Sequence, residues 1–258
     1  MSIQSVDRSL PPRGGFSLPF LMLELKRMMR NKRTLVFTLL LPPMFFLIFG
    51  LQSDYKTQPY GQANVTGYIM VSMAVYGGML ATTSGGATVA IERGLGWSRQ
   101  LRLTPLKPAA YIATKIVIAM VLGIMAVAVV FAVGAFFGAK LPAAAWVACF
   151  LIAWLTSIVF AAFGLFMGYL LPSENVMQIL GPGLAVLSFA GGLFVPPTGW
   201  FETASKFFPT YGVATLARAP LGENTTSSLV AAVINLVFWS VVFALGAREL
   251  FRRDTARV

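Results

Sequence analysis

Six long stretches of the chain carry almost no charge, and the polar residues collect between them. The first runs from Thr34 to Leu51 around the pair Pro42-Pro43. The second spans Val65 to Ile91, and the third Ala109 to Gly138, with one charge, Lys115, near its start. The fourth is Pro142 to Leu171. The fifth is Val176 to Val195, with Gly181-Pro182-Gly183 near its beginning, and the sixth is Leu229 to Ala247. A helix crosses a hydrocarbon layer of about 30 Å with roughly 17–25 apolar residues, and longer stretches tilt or project beyond it. The pattern predicts an all-α membrane protein with six transmembrane helices over residues 34–250.

Weaker patterns lie around and between these spans. Residues 1–15, with their Pro, Gly and Ser, read as a mobile tail. Across 16–33, Leu18, Leu21, Met22, Leu25, Met28 and Met29 recur at three- and four-residue spacing, with Glu24, Lys26, Arg27 and Arg30 off that stripe. This predicts an amphipathic interfacial helix with a basic polar face, lying on the inner membrane surface. In 196–227, Trp200, Phe201, Ala204, Phe207 and Phe208 form a stripe opposite Glu202, Thr203, Ser205 and Lys206, with Thr198 placed as a cap. Tyr211 to Ala219 is apolar but too short to span, so this region reads as short outer re-entrant or interfacial helices. Residues 251–258 are expected to form a cytoplasmic tail.

Composition sharpens the class. Of 258 residues, 57% are hydrophobic and 11% charged, with a mean hydropathy of +0.76. Soluble domains carry about 25% charged residues, and a chain this apolar must bury its surface rather than stay disordered. There is no histidine and a single cysteine, Cys149. That excludes an imidazole proton relay, an intrachain disulfide and a cysteine-rich metal site. No GxxxxGK[ST] phosphate loop is found. With no carboxylate inside a span and no catalytic constellation, the chain is not expected to be an enzyme or to burn ATP itself.

The net charge of +11 would fit a nucleic-acid partner if it were patchy on a soluble surface. Its distribution says otherwise. Arg8, Arg13, Lys26, Arg27, Arg30, Lys32 and Arg33 precede the first span. Arg93, Arg99, Arg102 and Lys107 follow the second, Lys115 can snorkel back to join them, and Arg248, Arg252, Arg253 and Arg257 follow the sixth. The opposite side has Lys56, Lys140, Lys206 and Arg218. The positive-inside rule then puts both termini in the cytoplasm, so no nucleic acid is expected. No cleavable signal peptide is expected either.

The segment 92–108 between spans two and three is compact and basic. Gly94 and Gly96 allow a turn out of the membrane, Trp97 and Leu101 form an i,i+4 apolar pair flanked by Arg99 and Arg102, and Pro105 stops a helix. A short cytoplasmic helix tied to two spans could pass a push from a soluble partner into the bilayer; an ordinary positive-inside loop would read the same way.

The run Glu92-Arg93 … Gly96-Trp97-Ser98-Arg99-Gln100-Leu101-Arg102-Leu103-Thr104-Pro105-Leu106, with Tyr111 and Lys115 after it, resembles the coupling-helix region of type-2 ABC transporter permeases. It is most similar to actinobacterial-style multidrug and antibiotic exporters, with Gly-Trp-x-Arg-Gln-Leu-Arg where Glu-Gly-Thr is commoner. Gly191-Gly192-Leu193-Phe194-Val195-Pro196-Pro197 … Trp200 … Phe208-Pro209-Thr210-Tyr211 … Arg218 is similar to a second family hallmark.

The resemblance implies a permease in the bacterial cytoplasmic membrane, working as a homodimer or related heterodimer with an ABC-type ATPase. The chain itself would bind no cofactor; ATP and Mg would sit on the ATPase. Glu92, Arg93, Gly96, Trp97, Arg99, Gln100, Leu101, Arg102, Thr104 and Pro105 would couple to it. Met73, Tyr76, Met79, Thr82 and Thr83 on span two would line the pathway with Met177, Leu184, Leu187, Ser188 and Phe189 on span five. Pro196, Pro197, Trp200, Phe208, Pro209 and Tyr211 would belong to the outer gate. An apolar, adaptable lining suits hydrophobic or amphipathic, drug-like cargo. Polysaccharide or lipid export, a self-sufficient channel or carrier, and a membrane scaffold are the alternatives.

Overall fold

The computed structural model describes residues 17–96, 108–222 and 224–256. The expected tail 1–15 and most of the coupling segment lie outside these residues. Helix α1 spans Leu18–Arg30, opened by the Ser17 side chain, which accepts from Phe20 N, and by Pro19 in its first turn. It stops three residues before the expected boundary at 33. Asn31 is the reason: its side chain accepts from Thr34 N and starts α2, Lys32–Gly50, at 64° to α1.

The apolar stripe of α1 is only partly its buried face. Met28 is buried, but Leu18 and Met22 are exposed, and the residue buried beside Met28 is Glu24. Helical periodicity puts Glu24 on the polar face; it lies inward instead, because Lys115 of the helix Pro108–Phe137 meets its carboxylate, with Arg27 of α1 on the other oxygen.

After α2 come a 3-10 turn, Ser53–Lys56, and a two-stranded antiparallel hairpin in which β1, Pro59–Tyr60, pairs with β2, Ala63–Asn64. Asn64 ends the hairpin and caps the next helix, accepting from Gly67 N at 2.9 Å. That helix, α3, Val65–Gly94, is the axis of the molecule, with 89% of its most apolar window buried. Four glycines let neighbours reach its backbone. A Cβ on Gly85 would strike Ala119 of α4, Pro108–Phe137, and one on Gly86 would strike the backbone at Ala161 and Leu165 of α6, Ile158–Leu170. Gly77 faces Pro42 of α2, and Gly78 faces Val127. Small residues at such crossings replace the hydrophobic drive that lipid cannot supply.

The fourth apolar stretch is two helices, α5 (Ala143–Thr156) and α6, parted at Ser157. The interruption is satisfied from α3, where Thr82 Oγ1 donates to Ser157 O at 3.1 Å and Thr83 Oγ1 donates to Phe160 O at 3.3 Å. Buried backbone in lipid tolerates such a break only with partners of this kind. The fifth stretch is shorter than expected: α7 covers Val176–Ala190 and ends at Gly191-Gly192, where φ of +73° at Gly192 turns the chain. Beyond it stand α8, Trp200–Ser205, and α9, Pro209–Arg218. Gly199, not Thr198, is the N-cap of α8, with no side-chain cap; Trp200 and Phe207 are exposed and Ser205 is buried. Six residues are too few to present the expected stripe to one surface.

The last helix, α10, runs Thr226–Ala256, well into the expected tail at 251–258. Glu249 extends it through an i,i+4 bond to Arg253 (3.0 Å). By length and apolarity four helices can cross a membrane: α3, α4, α5–α6 taken together, and α10; the bent pair α1–α2 makes a fifth candidate. Helix α7, at 15 residues, falls among the shorter apolar helices.

Candidate functional site

Along the long helices, Lys26, Arg27, Arg30, Lys32, Arg93, Lys115, Arg248, Arg252 and Arg253 fall at one end, and Lys56, Lys140, Lys206 and Arg218 at the other. At the basic end the last turn of α3 gathers four other helices. Glu92 is buried. Its Oε1 accepts from Lys115 Nζ of α4 at 2.5 Å and from Arg27 Nη1 of α1 at 3.1 Å, and its Oε2 accepts from Tyr111 Oη at 2.5 Å. Lys115 Nζ also donates to Glu24 Oε2, and Arg27 Nη1 to Glu24 Oε1 at 3.2 Å. Lys115 therefore does not reach back toward water as its place near a span end implies; it is 2% exposed between two carboxylates. Two carboxylates, one ammonium and one guanidinium close a neutral set. Neutrality is what lets Glu24, Glu92 and Lys115 sit out of water, with Arg27 half-exposed at the rim, since an unpaired buried charge costs several kcal/mol.

The next residue points the other way. Arg93 donates from Nη2 (2.8 Å) and Nε (3.2 Å) to Asp254 Oδ1 of α10. Its Nη1 donates to the carbonyls of Tyr169 (2.8 Å) and Gly168 (3.2 Å) at the end of α6. Successive residues on α3 thus grip α1 and α4 on one side, α6 and α10 on the other. Gly96 follows with φ of +72°, a turn that glycine takes without strain. Trp97, Arg99, Gln100, Leu101, Arg102, Thr104 and Pro105 lie outside the described residues. The two anchored ends, Glu92-Arg93 and Tyr111/Lys115, flank them.

A cavity of about 690 Å³ opens between α2, α3 and α7. Thr34, Phe37 and Thr38 line it from α2, Leu80, Thr83 and Ser84 from α3, and Gln178, Leu180 and Leu184 from α7. No charged side chain is among its described lining. Of the pathway candidates, Thr83 and Leu184 reach this cavity. Met73, Tyr76 and Met79 are packed in the core, and Thr82 turns toward α5 and α6. Ser188 is buried with its hydroxyl on Leu184 O, Leu187 is half-buried, and Phe189 is exposed; the side chain of Met177 lies outside the described residues. The wall from α2 is missing from the sequence-based candidates. Thr34 and Thr38, four residues apart in an apolar run, are the signal that could find it, together with Gln178 on α7.

At the far end the gate candidates divide. Pro209 and Tyr211 are buried, Phe208 and Pro197 half-buried, and Pro196 and Trp200 exposed. Asn235 of α10 fixes the start of α9: its Nδ2 donates to Lys206 O (2.8 Å) and Phe208 O (3.0 Å), and its Oδ1 accepts from Gly212 N (3.2 Å).

Several long apolar helices, short non-spanning helices at one end and paired charges at the other define a multi-pass membrane protein. The family model for the ABC-2 type transporter matches residues 20–221, and the chain belongs to that family. It is also 24% identical over 244 residues, covering 90% of this chain and 96% of the relative, to a protein of Bacillus subtilis (strain 168) named "Putative transport permease YvfS". ABC transporter and permease are therefore the terms that describe the chain.

Proposed function

We propose that this chain is the permease subunit of an ATP-driven exporter. It crosses the bacterial cytoplasmic membrane six times, α2 and α7 included and α1 lying at the inner surface, with both termini inside, and pairs with a second permease copy and with ABC-type ATPase subunits that hold ATP and Mg. The cargo is hydrophobic or amphipathic and drug-like.

The observation that carries this reading is the arrangement around 97–107: both flanks of that segment are bonded to each other and to neighbouring helices through Glu92, Arg93, Tyr111 and Lys115. A force applied to the segment reaches the base of α3 and α4 as one body and passes to α1, α6 and α10. Charged anchors suit this better than apolar contacts, because a bond between specific atoms resists sliding. The uncharged cavity beside α3 supports apolar cargo with a few hydrogen-bonding groups, since a charged compound would meet no counter-ion in the described lining.

The test is co-purification and transport with a cognate ATPase in vesicles. Unaltered chain should carry ATP-dependent flux of a hydrophobic dye, and Trp97→Asp or Leu101→Asp should lose the ATPase on purification while still inserting. Flux without nucleotide, under an ion gradient, would overturn the reading.

A further inference from the structure

The three walls of the cavity continue past it toward the far end, and there aromatic rings meet. On α3, Ser84, Leu80 and Tyr76 follow at four-residue steps on one face; on α2, Thr34, Thr38, Leu41 and Phe45 follow at three- and four-residue steps. At 1.5 Å per residue, Tyr76 lies roughly 12 Å beyond Ser84. Tyr76 stacks on Phe45 with ring centres 6.2 Å apart and meets Phe194 edge-on at 5.0 Å; Phe194 meets Phe189 at 4.9 Å. These rings come from α2, α3 and α7 with its following turn, the same elements that enclose the cavity. Phe194 bridges the other two sides.

What fixes Phe194 is Arg218. The two carbonyls immediately before it, Gly192 O and Leu193 O, accept from Arg218 Nη1 at 3.1 Å and Nη2 at 2.5 Å. The same guanidinium donates from Nε (3.2 Å) and Nη2 (2.7 Å) to Ser72 Oγ, one turn before Tyr76 on α3. Its carbon sits 4.4 Å from the ring centre of Tyr68. No carboxylate is among these partners; the charge is met by carbonyl dipoles, a hydroxyl and a ring face. Thr210, at the other end of α9, donates to Leu187 O at 2.5 Å, so α9 holds the end of α7 at two points. A planar fork with fixed donor directions sets the separation of α3 from the turn after α7 in a way that lysine could not.

We infer that Arg218 is a positioning residue for the outer closure of the cavity, holding the 192–194 turn so that Phe194 seals against Tyr76 and Phe189. The inference rests on the export reading above, which makes the far end the exit. Loss of the grip lets Phe194 swing away and opens the cavity outward.

The experiment uses the full chain in cell membranes with a Ser84→Cys reporter, Cys149 being fully buried. A charged, membrane-impermeant maleimide is applied from outside, with no nucleotide or ATPase needed. With Arg218 and Phe194 intact, the reporter thiol should label slowly. Phe194→Ala and Arg218→Gln should each raise the labelling rate at least tenfold, Ser72→Ala severalfold, and Phe194→Tyr should keep it slow. Rapid labelling of the reporter alone, or unchanged rates in Phe194→Ala and Ser72→Ala proteins that purify monodisperse, would overturn the inference. ATP-driven flux by the unaltered chain is scored separately, so a failed closure and a failed export reading give different results.

Discussion

The two ends of the molecule bury charge by opposite means. At the basic end the buried Glu24 and Glu92 are met by the side chains of Lys115, Arg27 and Tyr111; Arg93, which takes two carbonyls there, is partly exposed. At the far end Arg218 is satisfied by backbone carbonyls, Ser72 and the face of Tyr68. A set of side-chain ions can shift together as the helices bearing them move, because its partners move as well. A cation held by carbonyls is bound to the shape of a turn. The first arrangement suits transmission and the second suits a fixed reference point.

Removing one member at a time tests that contrast. The largest effect is expected for Lys115→Met, which leaves two buried carboxylates with the half-exposed Arg27 as their shared cation; about 3–5 kcal/mol of stability should be lost, read from thermal unfolding in detergent. The triple variant Lys115→Met, Glu24→Gln, Glu92→Gln should recover most of it. If it does not, lost packing outweighs the charge and the basic end is no different in kind. Asn235→Leu comes next. It removes the side-chain partner of Gly212 N and of Lys206 O and one of the two donors to Phe208 O, which keeps Tyr211 N. A loss of about 1–3 kcal/mol in all should loosen α9 without altering the basic end, read by hydrogen exchange at Gly212. The smallest effect belongs to Asp254→Asn. That pair with Arg93 is about 30% exposed, so solvent screening limits it to about 1 kcal/mol or less, further weakened by salt.

Much of the fold is legible in the hydrophobic pattern. The long helices α3 and α4 are readable because composition alone decides a span. The boundaries that fail share a cause: a side chain or glycine ends or extends a helix against its apolar pattern, as with Asn31, Ser157 and Gly192, and Glu249 with Arg253. In the candidate site, Glu92 and Lys115 stand out by their place in a motif. Their partner Glu24 does not, because helical periodicity assigns any carboxylate off the apolar stripe to water. Arg218 counts among the far-side cations and closes the second hallmark, but its burial depends on where two carbonyls point, which no residue-type pattern encodes.

Pro42 and Pro43 of α2 sit between the threonines that line the cavity and Phe45 at its far end. Neither nitrogen carries a hydrogen, so the helix there already lacks two rungs of its ladder. Bending at that point breaks nothing further. Gly77, opposite Pro42, presents no side chain for the ring to climb over. The wall is scored like a folded card: rigid along each panel, compliant along one crease, with the cavity on one side and the aromatic cluster on the other.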